Sequence, residues 1–91
     1  MTREEIVEKL RSMIVKRLNL GISPEEIGED RQLFASAEGG GLGLDSIEAL
    51  EIVVGIEELF GVTIEYSEGV EQRFYSLNTM AEYIKELLEQ Q

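Results

Sequence analysis

The chain has 91 residues, 43% of them hydrophobic, with no cysteine, no histidine and 19 acidic against 8 basic side chains, a formal charge of −11. This length and apolar content make one folding unit, 1–91, with a modest core, and the charge does not make it disordered. The missing cysteines exclude disulfide frameworks, zinc–thiolate sites and redox motifs. The acidic balance excludes a nucleic-acid surface, which needs a basic footprint.

No apolar run is long enough to insert into a membrane, and the charged start Met1-Thr2-Arg3-Glu4-Glu5 lacks a signal-peptide core. A soluble cytoplasmic monomer is expected. Thr2 and Glu5 fit a capping box, and Ile6, Leu10, Met13, Ile14 and Leu18 recur at helical spacing, so a first helix is expected, stopped by Asn19 and Gly21. Ile22 to Ile27 reads as a short turn with Ser23 as cap and Pro24 at its first position. Leu33 and Phe34 are apolar anchors for a long connection, and Glu38-Gly39-Gly40-Gly41-Leu42-Gly43 is a glycine-rich approach to the next helix. That loop lacks a preceding strand and a following Gly-Lys-Ser/Thr, so it matches no nucleotide-binding fingerprint.

Asp45 is a suitable N-cap and Glu48 completes an Asp-x-x-Glu capping box for a second helix. Ala49, Ile52, Val53, Ile56 and Phe60 form its core stripe. Ile47, Leu50 and Val54 form another, interleaved with Glu48, Glu51, Glu57 and Glu58. A small bundle cannot bury both sides of a peripheral helix, so the second stripe is expected to stay partly exposed. Val62 to Tyr66 alternates like a strand but has no partner segment, and reads as an extended connection with Val62 and Ile64 inward. Gly69 to Phe74 suits a short helix. Ser76 then caps a last helix with Leu77, Met80, Ile84, Leu87 and Leu88 on its apolar face. The expected fold is all-α, a small antiparallel bundle of three main helices plus one short helix. The six aromatic residues, Phe34, Phe60, Tyr66, Phe74, Tyr75 and Tyr83, read as packing residues rather than a stacking platform.

The charges are unevenly placed. Between Gln32 and Gln72 there is no Lys or Arg, while nine acidic residues fall there; five of the eight basic residues lie in the first helix. This acidity surrounds Ser46, at the start of the second helix beside Asp45. Without histidine or cysteine, Ser46 has no base to make it a nucleophile of its own, so chemistry on it would be done by another enzyme. The exposed apolar stripe edged with carboxylates is a docking surface for partners with basic patches. No stretch has calcium-loop spacing, and no dedicated metal site is expected.

Gly43-Leu44-Asp45-Ser46-Ile47, followed by Glu48-Ala49-Leu50-Glu51-Ile52-Val53, closely resembles acyl carrier proteins over nearly the whole chain, from the first helix to Ile84. Leu33-Phe34, Glu57-Glu58-Leu59-Phe60 and Ile64 belong to the same resemblance. It implies that the chain is a carrier and not an enzyme. Ser46, preceded by Asp45, would receive 4′-phosphopantetheine from coenzyme A through a magnesium-dependent transferase. The arm's thiol would then hold acyl groups as thioesters for fatty acid or specialised polyketide or lipid synthesis. The resemblance also places Ile47, Glu48, Leu50, Glu51, Val54 and Glu57 on the helix that docks on the phosphopantetheinyl transferase, acyl synthases and acyltransferases. It places Ile52, Ile56, Ile64, Phe74 and Leu77 along an acyl-chain cavity. The alternative from the residues alone is an unmodified acidic interaction module using the same strip. Three departures from the family pattern stand out: the glycine-rich extension Ser36 to Gly41, Gly55 within the second helix, and the bulky pair Phe74-Tyr75.

Overall fold

The computed structural model describes residues 1–65 and 70–90. They form four helices, α1 (Arg3–Leu18), α2 (Ser46–Phe60), α3 (Val70–Arg73) and α4 (Leu77–Glu89), with 3-10 turns at Pro24–Glu26 and Ala37–Gly39. Among the described residues there is no strand, and the expected all-α architecture of three main helices and one short one holds. The stretch Val62 to Glu65 belongs to no helix or strand, with Val62 and Ile64 buried as expected. Tyr66 and Gly69, expected to end that stretch and to begin the short helix, lie outside the described residues.

Local signals set the helix ends. Thr2 and Glu5 form the capping box of α1: the Glu5 amide donates to Thr2 Oγ1 at 3.2 Å and the Thr2 amide to Glu5 Oε1 at 2.9 Å. The backbone bond from Thr2 holds the Glu5 carboxyl below its ordinary range, aided by the Thr2 side chain. Asn19 closes the helix in the left-handed region, at φ 53°, with its amide on the Lys16 and Val15 carbonyls. Ser76 and Thr79 cap α4 in the same reciprocal way.

α1 packs on both α2 and α4. Ile6, Leu10 and Ile14 of α1, Ile52 and Ile56 of α2, and Leu77, Met80 and Ile84 of α4 are fully buried in one cluster, joined by Ile27 and Leu33 from the connection. Each such side chain contributes about 1.5–3 kcal/mol on leaving water. Ile27 and Leu44 are core residues that periodicity does not reveal, because each is a single apolar position in irregular backbone.

The connection from α1 to α2 is tied down along its length. Arg11 Nε donates to the Ile27 carbonyl at 3.0 Å. Arg3 reaches Asn78 and Glu29, and the Asn78 amide donates to the Glu29 carbonyl at 2.9 Å, joining the start of α1, the connection and the start of α4. The Leu33 amide donates to the Tyr75 carbonyl at 3.1 Å. At the other end of the molecule Arg73 pairs with Glu86 at 3.0 Å and lies over the Tyr83 ring, fixing α3 on α4.

Candidate functional site: the start of the second helix

The segment leading into α2 is held by a short backbone ladder. Amides of Leu42, Gly43 and Leu44 donate to the carbonyls of Gln32, Ala35 and Leu33 at 2.8–3.1 Å. The glycine-rich extension makes a compact turn, with the Gly39 and Gly41 amides both on the Ser36 carbonyl at 3.0 Å. Arg31 closes it from outside, Nε on the Gly40 carbonyl at 3.2 Å and Nη2 on the Gly41 carbonyl at 3.3 Å. A Cβ at Gly41 would overlap the Ala35 carbonyl, so this position admits no other residue without moving backbone. Sequence reasoning found a glycine-rich approach to the helix but not this lock. Arg31 lies nine and ten residues from the carbonyls it holds, and only folding brings them together.

Gly43, at φ 71°, turns the chain, Leu44 buries beneath it, and Asp45 caps α2. The Glu48 amide donates to Asp45 Oδ1 at 2.8 Å and the Asp45 amide to Glu48 Oε1 at 3.0 Å. Ser46 is therefore the first residue of the helix. It is exposed, and its hydroxyl enters no hydrogen bond among the described residues. The Ser46 and Ile47 amides, at the positive end of the helix dipole, likewise meet no acceptor there.

Ile47, Leu50 and Val54 stand out from α2 with 71%, 56% and 41% of their surface exposed. The opposite face, with Ile52, Val53, Ile56 and Phe60, is buried, and Ala49 is half-buried. The carboxylates flanking the strip all have roles within the chain. Glu48 closes the cap, Glu51 and Glu58 pair with Arg17 at 3.2 and 2.9 Å, and Glu57 accepts from the Ile64 amide at 2.9 Å.

Beside Ser46, one helical turn on, Ala49 helps line a cavity of about 400 Å³ with Gln32, Phe34, Ala35, Phe74 and Tyr75. Of the five residues expected along an acyl-chain cavity, Phe74 lines this one, whereas Ile52, Ile56, Ile64 and Leu77 pack in the core. Tyr75 is half exposed, so it edges the groove rather than filling the interior as the sequence reading expected. Its spacing gave no sign of this, since it stands between α3 and α4 where neither period applies. Among the described residues there is no group of three acidic side chains able to hold a metal, and no helix is long and apolar enough to cross a membrane.

The arrangement is an exposed, unactivated hydroxyl on a fixed helix end, with an apolar strip below it and a groove beside it. Residues 8–84 match the family model for the phosphopantetheine attachment site, and the chain belongs to that family. It is 34% identical over 87 residues to a chloroplastic acyl carrier protein of Brassica napus, covering 96% of this chain and 58% of that protein. The chain thus spans somewhat over half the length of the plastid relatives it matches. An acyl carrier protein of Campylobacter hominis is 29% identical over 83 residues, covering 91% of this chain and 94% of that one. The fold is shared with the solution structure of a holo acyl carrier protein from Nitrosomonas europaea, at TM-score 0.73 and 24% identity over 91% of this chain and 95% of that one. The group that this family's attachment site takes is 4′-phosphopantetheine.

The start of α2 fits that group. A phosphodiester on Ser46 Oγ would lie at a helix N-terminus with two free amides, the setting that favours a bound phosphate.

Proposed function

We propose that Ser46 is the residue to which 4′-phosphopantetheine is attached and that the domain carries acyl groups between enzymes of fatty acid, polyketide or related lipid synthesis. The observation that carries this reading is the Ser46 hydroxyl, exposed and unbonded at the first position of a helix whose cap is complete without it. When bound, the group supplies a terminal thiol able to hold an acyl chain as a thioester, chemistry for which this cysteine-free chain has no side chain of its own. Asp45 fixes the first turn and so the direction in which the hydroxyl projects. The groove of Phe34, Ala35, Ala49, Phe74 and Tyr75 shelters the arm or the first carbons of its cargo. Ile52, Ile56, Ile64 and Leu77 form the apolar interior that a longer chain would have to part.

The partners in this reading are the phosphopantetheinyl transferase and the synthases and acyltransferases that load and unload the arm. They engage Ile47, Leu50 and Val54 by apolar contact, with Glu48, Glu51 and Glu57 facing their basic patches. Burial of the strip supplies affinity, and the acidic field around it supplies orientation and on-rate. In this reading the domain acts as a cytoplasmic monomer.

The test is intact-mass measurement after incubation with coenzyme A, magnesium and a broad-specificity phosphopantetheinyl transferase. A gain of one phosphopantetheine in the natural chain and none in Ser46→Ala is expected. The same gain in the variant would refute the assignment of Ser46.

A further inference from the structure

The two edges of the α2 strip are not alike. On the side facing α1, Arg17 lies across the helix with Nε on Glu51 Oε2 at 3.2 Å and Nη1 on Glu58 Oε2 at 2.9 Å. Residues 47, 51, 54 and 58 follow each other at helical spacing, so these carboxylates stand beside the exposed Ile47 and Val54. The third feature is Gly55. A Cβ there would overlap Met13 Sδ and come within 3.1 Å of Arg17 Cδ. Gly55 is therefore a notch in α2 filled first by the Met13 thioether, with the Arg17 stem packed at its edge. A glycine inside a helix costs about 1 kcal/mol relative to alanine, so the notch is an expense the helix would otherwise avoid.

Arg17 is not isolated. With Lys9 and Lys16 it edges a groove of about 660 Å³ between α1 and α2, floored by Met13 and Leu59. Lys9 and Lys16 enter no salt bridge among the described residues, whereas Arg17 enters two. The cation in contact with the proposed docking face is thus the one the chain has already paired with it.

We infer that Arg17 is an internal competitor for that face: an enzyme with a basic docking patch must displace it from Glu51 and Glu58 before its own cations can pair there. This inference rests on the proposal that the outer face of α2 is the docking surface. The same two carboxylates cannot serve Arg17 and a partner's basic side chain at full strength. Arg17 therefore lowers the attraction for strongly basic partners and favours those that depend more on the apolar strip. Its pairs are solvent-exposed and worth little to stability, which makes them easy to exchange. The chain's three cations on this edge also repel a basic patch placed too far toward α1, restricting the register in which a partner can sit.

The experiment measures loading of the full chain by a broad-specificity phosphopantetheinyl transferase with a basic docking surface, as kcat/KM against salt. Arg17→Gln is expected to raise kcat/KM about two- to fivefold at low ionic strength, with the gain fading as salt screens the freed carboxylates. Arg17→Lys retains the cation and stays near the natural value. Lys85→Gln makes the same change in net charge on α4 and serves as the control for charge alone. A structural role would only lower the melting temperature or slow loading. Arg17→Gln loading no faster than the natural chain, or Lys85→Gln giving an equal gain, would overturn the inference. If Arg17→Gln fails to fold, Arg17→Met, which keeps an unbranched apolar stem beside Gly55 and removes only the charge, decides instead. Loading must then speed up at low salt, and loading no faster than the natural chain overturns the inference. Leu50→Ala separates the two proposals: slower loading in Leu50→Ala with no gain in Arg17→Gln removes the role of Arg17 and leaves the docking face standing. Loading indifferent to both removes the docking face itself.

Discussion

The segment that leads to Ser46 and the helix face that follows it are built on opposite plans. Between Arg31 and Leu44 the backbone is tied down at several points inside the chain, by the ladder to Gln32, Leu33 and Ala35 and by Arg31 on Gly40 and Gly41. Below Ser46, Ile47, Leu50 and Val54 are left without cover. The contrast fits a carrier. The point of attachment must sit where enzymes can find it reproducibly, which calls for a fixed backbone. The surface they grip must remain open and separable, which calls for side chains that the fold does not use. Under the proposed function, position is supplied by one region and adhesion by the other.

The comparison can be broken most severely at Gly41. Gly41→Ala drives a Cβ into the Ala35 carbonyl, and relief requires the turn and its ladder to move. A loss of about 2–3 kcal/mol is expected, the range for forced overpacking, read as a melting temperature lower by roughly 8–20 °C. A melting temperature within a degree or two of the natural chain would show that the segment is not a fixed element.

A smaller effect, and the opposite kind, is expected on the open face. Ile47→Ser with Leu50→Ser removes exposed apolar surface that contributes nothing to the core. Its melting temperature should stay near that of the natural chain, while kcat/KM for transferase loading falls about tenfold, equivalent to about 1.4 kcal/mol of lost contact. A drop in stability with unchanged loading would reverse the roles assigned to the two regions.

The smallest effect concerns the cap of α1, far from either region, and serves as a baseline. The Glu5 carboxyl is held below its ordinary range by the Thr2 backbone and side chain. A carboxyl depressed in the folded state contributes stability above its unfolded value and loses it as the pH falls through the folded one. The stability difference between the natural chain and Glu5→Gln should therefore be present at neutral pH and shrink in the acid range. A difference that grew on acidification would contradict the cap.

Much of this protein was written in one dimension. Helix periodicity, the capping boxes at Thr2, Asp45 and Ser76, and the stop at Asn19 act over three or four residues, so the sequence by itself determined the helices and nearly all of their ends. It also determined which face of α2 would stay exposed, because a three-helix bundle has no surface left to cover a second stripe. Ser46 stood out for the same local reason, as a polar residue at a capped helix start beside an acid.

What only the tertiary structure decided rests on partners distant in sequence. Arg31 holding Gly40 and Gly41, Gly41 against Ala35, Tyr75 beside Phe34 at the groove, and Arg17 on Glu51 and Glu58 each join segments that no periodic pattern connects. Periodicity reports which way a residue faces within its own element. It carries no information on what the fold brings opposite, and the cost of closing a long connection is met only when the core has formed.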